Sequence, residues 1–214
     1  MKRPDTLVKS VVFVVALVYS ITIYLSGSEL DSAIIKILSF LPTLAVMLLI
    51  LWDYLALKLP IVRKFMNRPR FDGLWKFSLT PTAESHIPEG GNKGPIPGYM
   101  IVKQTFWSLH VTQFTEESAS ESIAYTWRRS EEGGPVKLSY IYRNKPKAKH
   151  LSRSHPSDGS SSIEFRSMSP KVLESTYFTD RYTQGDIELA FLTRDSEFGS
   201  YKECIEAENR QSTV

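Results

Sequence analysis

The 214-residue sequence has little of what metal sites and enzyme active sites are built from. Its single cysteine, Cys204, excludes an internal disulfide and a cysteine-rich zinc site. The four histidines are scattered, and His150 and His155 fall in a predicted loop where a metal site is not favoured. HExxH, P-loop, GxSxG and dinucleotide-binding motifs are absent. We therefore expect no catalysis, no metal and no other cofactor.

Acidic residues are scarce at the amino-terminal end. Residues 1–70 contain nine Lys or Arg and four Asp or Glu, a net charge of +5, whereas residues 71–214 contain 17 and 19, a net charge of −2. The larger part therefore lacks the excess of positive charge that a nucleic-acid surface needs, and we expect no DNA or RNA partner.

Long apolar runs are confined to the first 58 residues. The run over residues 10–25 is uncharged and extends to 7–25 if Lys9 reaches back to the membrane interface, and the second run covers residues 37–57. The sequence predicts two transmembrane helices over residues 7–25 and 37–57, paired as a hairpin that anchors the protein in the lipid bilayer.

Basic residues flank this hairpin on one side only. They precede the first run and follow the second, whereas the connection between the runs carries Glu29 and Asp31 against Lys36. By the positive-inside rule, we expect both termini to be cytoplasmic. A cleaved signal peptide ending near Ser26 and Gly27 is the alternative for the first run, and it leaves the carboxyl-terminal part cytoplasmic as well.

Asp53 and Pro42 are unusual residues in the second apolar run. At the bilayer centre Asp53 would cost about 2.5–3.5 kcal/mol, so we expect its carboxylate at the inner interface, near Lys58. Pro42 removes one backbone donor and is expected to kink the helix. We interpret the helix pair as an anchor, with a segment that rearranges on assembly as the alternative.

After a basic linker, residues 59–70, the apolar pattern becomes alternating and is broken by turn residues such as Gly90-Gly91 and Ser157-Asp158-Gly159. This pattern predicts eight strands, over residues 73–79, 99–106, 109–114, 122–129, 136–143, 161–168, 173–182 and 186–193. No long amphipathic helix is predicted between them, so neighbouring strands should be antiparallel.

We predict an all-β domain over residues 71–195, an eight-stranded antiparallel up-and-down barrel of the lipocalin-like kind. A two-sheet sandwich is the alternative. A barrel of eight strands can hold one small ligand. Residues 196–214 are predicted to be a polar carboxyl-terminal tail to which we assign no role.

Alternation also predicts which side chains point into the barrel. In the fifth strand the inward residues are Val136, Leu138, Tyr140 and Tyr142. In the fourth strand they are Ile123, Tyr125 and Trp127.

The seventh strand has no plainly apolar face, since Tyr177, Thr179 and Arg181 share one side. Such a wall suits a polar, aromatic and anionic ligand such as a nucleotide, because Tyr stacks on bases and Arg pairs with phosphate. The alternative is that Tyr and Thr are present as good strand formers and that Arg181 lies on a solvated edge. The basic loop over residues 143–153 has the same two interpretations, a phosphate-binding or lipid-touching loop and an ordinary solvated loop.

Three stretches carry a resemblance to a known family: FDGLWKFSL (71–79), LSYIYRNKP (138–146) and YFTDRYTQGDIEL (177–189). With the two predicted transmembrane helices, they resemble the sensor domain of the bacterial anti-phage membrane effectors known as CBASS effectors. The resemblance implies that the barrel binds a cyclic dinucleotide made after phage infection. It also implies a ligand-induced homo-oligomer in the cell inner membrane, whose transmembrane segments disrupt that membrane and kill the host cell.

The resemblance places ligand-binding roles on Tyr177, Thr179, Arg181, Tyr142 and Asn144, which match its Y-x-T-x-R and Y-x-N patterns. Three further candidates come from other arguments: Tyr140 and Trp127 from the predicted inward faces, and Gln104 as a hydrogen-bonding partner for a base edge. Two other functions stay open for the barrel. It could carry a lipid or other apolar ligand, or it could be a filled scaffold whose partner is another protein.

Overall fold

The computed structural model describes residues 4–26, 39–87, 89–129, 134–152 and 154–212. The chain forms two compact units, one of residues 1–59 with 105–108 and the other of residues 60–104 with 109–214.

In its described residues, 4–26, 39–59 and 105–108, the first unit contains two α-helices, α1 (Pro4–Ser26) and α2 (Leu41–Leu55), and a 3-10 turn over Ala56–Lys58. The segment Leu41–Lys58 is long and apolar enough to cross a membrane, whereas the apolar part of α1, Lys9–Leu25, is shorter. Among the described residues the structure therefore offers one candidate span where the sequence predicts two. The connection that carries Glu29, Asp31 and Lys36 lies outside the described residues.

Pro42 does not kink α2. It is the second residue of the helix, after the N-cap residue Phe40 and Leu41, and so lies in the first turn. A backbone N–H in that turn has no partner within the helix, so proline removes nothing there and its fixed φ favours the start of the helix. The predicted kink is therefore wrong.

Polar side chains join α1 to α2. The Thr43 hydroxyl lies 2.6 Å from the Ser20 hydroxyl and donates to the carbonyl of Ala16 at 2.9 Å. At the other end, Lys9 donates to the carboxylate of Asp53. Asp53 is fully buried, and its second carboxylate oxygen accepts the backbone N–H of Trp107 at 2.9 Å. The charge of Asp53 is thus compensated inside the protein.

The second unit begins with a short helix, α3 (Pro60–Met66), which lies inside the predicted linker. Its eight strands are β1 (Gly73–Pro81), β2 (Ile96–Gln104), β3 (Leu109–Thr115), β4 (Ser118–Arg129), β5 (Val136–Pro146), β6 (Ser157–Phe165), β7 (Val172–Thr179) and β8 (Gln184–Thr193). Each strand pairs antiparallel with its neighbour in sequence, and β8 pairs with β1, which closes the barrel. The predicted all-β up-and-down barrel is confirmed.

The sixth strand begins four residues earlier than predicted, because Ser157-Asp158-Gly159 is strand and not turn. These residues pair with Asn144, Arg143 and Tyr142 of β5. Two side-chain contacts stabilise this Asp-Gly sequence as part of a strand. Asp158 forms a two-point ion pair with Arg143 at 2.8 Å, and the ring of Tyr142 covers Gly159.

The inward face predicted for β5 is confirmed, since Val136, Leu138, Tyr140 and Tyr142 are all buried. The face predicted for β4 is wrong at Ile123, which is 57% exposed. A register shift between Ser122 and Ala124 adds one residue to β4 and breaks the simple alternation before the partly buried Tyr125 and Trp127.

The barrel interior changes character along β5. At the Val136 end, Phe165 lies opposite on β6, and the rings of Phe71 and Trp127 pack on Phe165 at centroid distances of 5.3 and 5.5 Å. This end is filled by side chains. The Tyr142 end is open and forms the cavity described below.

The carboxyl-terminal residues form a helix, α4 (Tyr201–Ser212). Its buried side chains, Cys204 and Ala207, pack in one cluster with Leu74, Tyr99 and Ile101 of β1 and β2. These strand residues alternate with the inward ones, so α4 covers an apolar patch on the outside of the barrel. The predicted polar tail is therefore in part a structural element.

Candidate functional site

A cavity of about 550 Å³ opens at one end of the barrel. Its wall is made by the ends of strands β1 to β7, by the turn between β7 and β8, and by part of the long loop between β1 and β2. The cavity lies within the second unit.

Five of the eight candidate residues line this cavity: Tyr142, Asn144, Tyr177, Thr179 and Arg181. The sheet register explains why β5 and β7 contribute together. Gly159 of β6 pairs with Tyr142 on one side and with Thr179 on the other. Only a glycine separates the two side chains, so they reach the same space.

Gly159 also fixes the position of the Tyr142 ring. A Cβ atom at residue 159 would lie 2.5 Å from Cζ of Tyr142, a distance that carbon atoms do not tolerate. The absence of a side chain on β6 thus lets the ring lie across that strand at the cavity wall. No short sequence motif indicates this contact, because it depends on the pairing of β5 with β6.

Arg181 lies in the turn after β7 and not on the strand itself, which ends at Thr179. The Thr179 hydroxyl holds this turn, since it accepts the backbone N–H of Arg181 at 3.3 Å and lies 2.7 Å from the hydroxyl of Thr183. Tyr182 has a positive φ of 59°, which closes the turn. Thr179 therefore positions Arg181 as well as lining the cavity.

Of the lining residues that the structure describes, Arg181 alone carries a permanent positive charge. Its Nη1 donates to the hydroxyl of Ser154 at 2.8 Å. Its Nε is buried and has no hydrogen-bond partner among the described residues. A guanidinium with an unpaired N–H group can bind an anionic oxygen, because its planar arrangement of donors matches phosphate and carboxylate.

The floor of the cavity is polar. Gln113 lines the cavity and donates from Nε2 to the hydroxyl of Tyr140 at 2.6 Å. Beside them the hydroxyls of Ser161 and Ser175 lie 2.7 Å apart, both buried. Tyr140 itself does not line the cavity, so the structure places this candidate beneath the site, where it supports Gln113.

Burial keeps the tyrosines of this region neutral. It raises the pKa of Tyr177 to about 12 and raises the pKa of Tyr142 and of Tyr140 above the ordinary value for a phenol. At physiological pH these side chains therefore offer hydroxyl groups and aromatic faces without a negative charge.

The structure places the two remaining candidates outside the cavity. Gln104 accepts the backbone N–H of Phe71 at 2.7 Å and donates to the carbonyl of Pro69 at 3.0 Å, which ties the start of the barrel domain to the end of β2. Trp127 packs against Phe165 and lies under the guanidinium of Arg68, 5.6 Å from the ring centroid.

The long loop between β1 and β2 also lines the cavity, with His86 and Ile87 among its contributions, and its turn-rich sequence has no pattern from which this position could be predicted. The loop is tied to the β7–β8 turn, because Thr82 donates its backbone N–H to the Gln184 carbonyl at 2.9 Å and His86 donates to that of Tyr182 at 3.0 Å. Gln113 was also missed, although its alternation with the buried residues Leu109 and Val111 indicates an inward position.

The basic loop after β5 contributes His150 to the cavity wall. Two cations of the same basic segment have partners outside the cavity: Arg143, near the end of β5, pairs with Asp158, and Lys147 donates to the carbonyl of Glu116. Arg153 lies outside the described residues. In the part of the chain that the structure describes, no three His, Cys, Asp or Glu side chains are grouped as metal ligands.

Comparison with known families gives one match. The model of the Cap15 cyclic dinucleotide receptor domain matches residues 66–190, which span the barrel from α3 into β8 and include every residue of the candidate site. A comparison with curated proteins found no match. The match covers more than half of the 214 residues. The chain therefore belongs to the family of the Cap15 cyclic dinucleotide receptor domain, the sensor of CBASS effectors.

Proposed function

We propose that the cavity is the cyclic dinucleotide site of this receptor domain and that Arg181 binds a phosphate of the ligand. The observation that carries the proposal is the position of Arg181, at a cavity that Tyr142 and Tyr177 also line. The volume, about 550 Å³, falls within the range of about 300–1,000 Å³ usual for small-molecule sites.

The lining residues divide into three chemical roles. Arg181 supplies the charge and the two-point hydrogen bonding that a phosphodiester requires. Tyr142 and Tyr177 supply aromatic faces on which bases stack. Asn144 and Gln113 supply amide donors and acceptors that can read the edge of a base.

The polar floor favours a nucleotide over a lipid. An acyl chain reaching the floor would cover Gln113, Ser120 and Ser157 without offering a hydrogen bond to their remaining donors and acceptors. A nucleotide can supply such bonds with its own donors and acceptors. The filled end of the barrel beyond Tyr140 also leaves no channel for a long chain.

We further propose that the whole chain is a membrane-anchored effector that works in the cell inner membrane with both termini in the cytoplasm. In this proposal the bound ligand drives homo-oligomerisation, and the transmembrane part then disrupts the membrane and kills the host cell. The segment Leu41–Lys58 and the basic residues around it support the anchor. A shift from 1% to 99% assembled requires about 5.5 kcal/mol of differential ligand affinity.

Calorimetric titration of the full-length chain in detergent tests the ligand assignment. The probes are cyclic di-GMP, cyclic di-AMP and cyclic GMP–AMP, with a linear dinucleotide and oleate as comparisons. We expect one or more of the cyclic compounds to bind and oleate not to bind. Binding of oleate with no response to any cyclic dinucleotide contradicts the proposal.

The Arg181→Ala variant tests the phosphate contact. Loss of a charge-assisted contact of about 1.5–3 kcal/mol weakens binding by about tenfold to a hundredfold. Arg166→Ala is the matched control, because Arg166 is exposed and does not line the cavity. Equal affinities of the two variants would show that Arg181 makes no contact with the ligand.

A further inference from the structure

The short helix α3 exposes apolar side chains on the outside of the barrel unit. Ile61 is 82% exposed and Phe65 is 84% exposed, and they share one face of the helix because they are four residues apart. Lys64 is exposed beside them, whereas Val62 and Arg63 are partly buried. A helix face that combines large apolar side chains with a lysine has the composition of a helix at a membrane interface.

Contacts of the following segment place the end of α3 at the filled end of the barrel. The backbone N–H of Arg68 donates to the carbonyl of Arg63 at 3.1 Å, and the Arg68 guanidinium lies over the ring of Trp127 on β4. Further along, the backbone N–H of Arg70 donates at 3.0 Å to the carbonyl of Met168, between β6 and β7. The end of α3 is therefore part of the barrel surface at this end.

Cations are concentrated at the same end, where β4 ends and β5 begins. Arg128 and Arg129 are the last residues of β4, and both are exposed. Arg128 lies directly opposite Lys137 of β5, and like charges in such a cross-strand position repel each other. We call the six cations of this surface the basic patch: Arg63, Lys64, Arg68, Arg128, Arg129 and Lys137.

Acidic residues offset half of the basic patch. Glu164 pairs with Lys137 at 3.6 Å. Glu131 and Glu132 follow β4 in a connection that lies outside the described residues. Three acids against six cations leave an excess of three positive charges on this surface.

Arg194 shows that cations also lie close together beside the basic patch. It shares the carboxylate of Asp72 with Arg70, at 3.5 and 2.7 Å, so that one acid serves two cations. Its pKa is lowered first by burial and then by the nearby guanidiniums of Arg70 and Arg63, although Asp72 acts in the opposite direction. An external anion at this end would relieve the repulsion.

An anionic lipid bilayer fits this surface. It offers phosphate groups to the cations and, directly beneath them, an apolar layer for Ile61 and Phe65. A nucleic acid offers the phosphates without that layer. The position in the chain agrees with a bilayer, since α3 begins two residues after Lys58, the last residue of the candidate span.

We propose that α3 and the basic patch dock the filled end of the barrel on an anionic lipid bilayer. The proposal rests on the membrane anchor of the proposed function but not on its ligand. Because the cavity opens at the opposite end of the barrel, a barrel docked in this way presents the cavity away from the lipid.

Fluorescence quenching in vesicles tests the docking. Pro135, exposed directly before β5, is replaced by Cys in the full-length chain, labelled with an environment-sensitive fluorophore, and reconstituted into vesicles with a spin-labelled lipid headgroup. Cys204 is fully buried and contributes little label. Vesicles of phosphatidylcholine are compared with vesicles that also contain phosphatidylglycerol.

We expect phosphatidylglycerol to raise the quenching at least about twofold, and high salt to remove the increase because it screens the charges. The control label is Lys145→Cys, exposed near the other end of β5, where the lipid composition should make no difference. Equal quenching of the Pro135→Cys label in the two kinds of vesicle overturns the proposal.

Charge reversal separates this surface from the net charge of the chain. Lys64→Glu combined with Arg129→Glu should abolish the increase caused by phosphatidylglycerol. Lys145→Glu combined with Lys149→Glu changes the net charge by the same amount at exposed residues that do not line the cavity, and should leave the increase in place. The same loss in both double variants contradicts the proposal.

Phe65→Ser tests the apolar part of the surface. We expect it to lower the quenching in anionic vesicles about twofold, because the serine gains little from leaving water. Phe178→Ser is the matched control, since Phe178 is 62% exposed on β7 and lies outside the surface. Unchanged quenching in Phe65→Ser would show that α3 does not enter the interface and contradicts the proposal.

A short DNA duplex added to the labelled chain in neutral vesicles tests the other polyanion. A label that responds to DNA and not to phosphatidylglycerol assigns the surface to nucleic acid and overturns the proposal.

Flotation of the same vesicles separates the docking surface from the anchor. A chain that floats with neutral vesicles, but whose label is not quenched in anionic ones, has the anchor without the docking surface. A chain that floats with anionic vesicles alone has the docking surface without the anchor. A chain that floats with neither has neither.

Discussion

Gly159 occupies a position in β6 where the ring of Tyr142 takes the space of a side chain. Alternation along β5 predicts that Tyr142 points inward, and this is confirmed by its burial. The partner of the ring could not be predicted, because the Asp-Gly sequence has the composition of a turn. Only the pairing of β5 with β6, stabilised by the ion pair between Arg143 and Asp158, shows that Gly159 continues the strand.

We expect Gly159→Ala to weaken ligand binding while the barrel stays folded. The added methyl group would lie 2.5 Å from the Tyr142 ring, so the ring must move at the cavity wall. Binding of the cyclic dinucleotide should fall by about tenfold, since a displaced anchor costs about 1.4 kcal/mol. Ser160→Ala, one residue further along and outward-facing, is the control for titration and for thermal unfolding. Unchanged affinity in Gly159→Ala would exclude Tyr142 from the contact.

At the scale of secondary-structure elements, alternation predicted all eight strands but not the role of the residues after Phe198. That segment is polar overall, and of its residues 199–211 Cys204 and Ala207 alone become buried when it forms α4. Two small side chains per helix are too weak an apolar pattern to predict a packed helix. The outer apolar residues of β1 and β2, such as Leu74 and Ile101, give the complementary signal, since they need a cover.

We expect Ala207→Glu to destabilise the barrel by inserting an unpaired charge between α4 and the strands. A loss of about 2 kcal/mol corresponds to a melting temperature about 4–8 °C lower for a chain of this size. Gln211→Glu adds the same charge at an exposed position of the helix and should leave the melting temperature unchanged. If the two variants have the same melting temperature, the packing of α4 does not stabilise the barrel.

Burial of Tyr177 at the cavity makes the stability of the barrel depend on pH. Burial raises the pKa of Tyr177 to about 12 in the folded state, against about 10 for an exposed phenol. The unfolded chain therefore releases this proton first, so the stabilisation is complete below about pH 10 and is lost as the pH rises towards 12.

Urea unfolding at pH 8, 10 and 11.5 measures this loss of stability. The Tyr177→Phe variant keeps the ring and removes the ionising group, so its free energy of unfolding should fall less steeply between pH 10 and 11.5. Parallel pH curves for the two proteins would show that Tyr177 does not contribute to the effect.

At the scale of the whole molecule, the split in charge and hydropathy between residues 1–70 and the remainder predicted two parts with different environments, and the structure divides the chain near that boundary. The family match confirms the class of sensor. The number of spans is less well predicted, since one described helical segment meets the length and composition expected of a span.

Cysteine labelling tests the predicted topology. Cys204 is fully buried, and burial raises the pKa of its thiol to about 12, so it contributes little background. We expect a membrane-impermeant maleimide to label Ser28→Cys in intact cells and to label Gln211→Cys only after lysis. Labelling of Gln211→Cys in intact cells would place the carboxyl terminus outside and contradict the topology.

The backbone hydrogen bonds from Thr82 and His86 to the residues after β7 join two segments that are far apart in the sequence and border the cavity together. The turn that carries Arg181 is therefore held on both sides, by the Thr179 hydroxyl and by the β1–β2 loop. Because the two segments share these bonds, a proteolytic cut in either one loosens the other as well. Resistance of the β1–β2 loop to proteolysis is thus also a measure of order at Arg181.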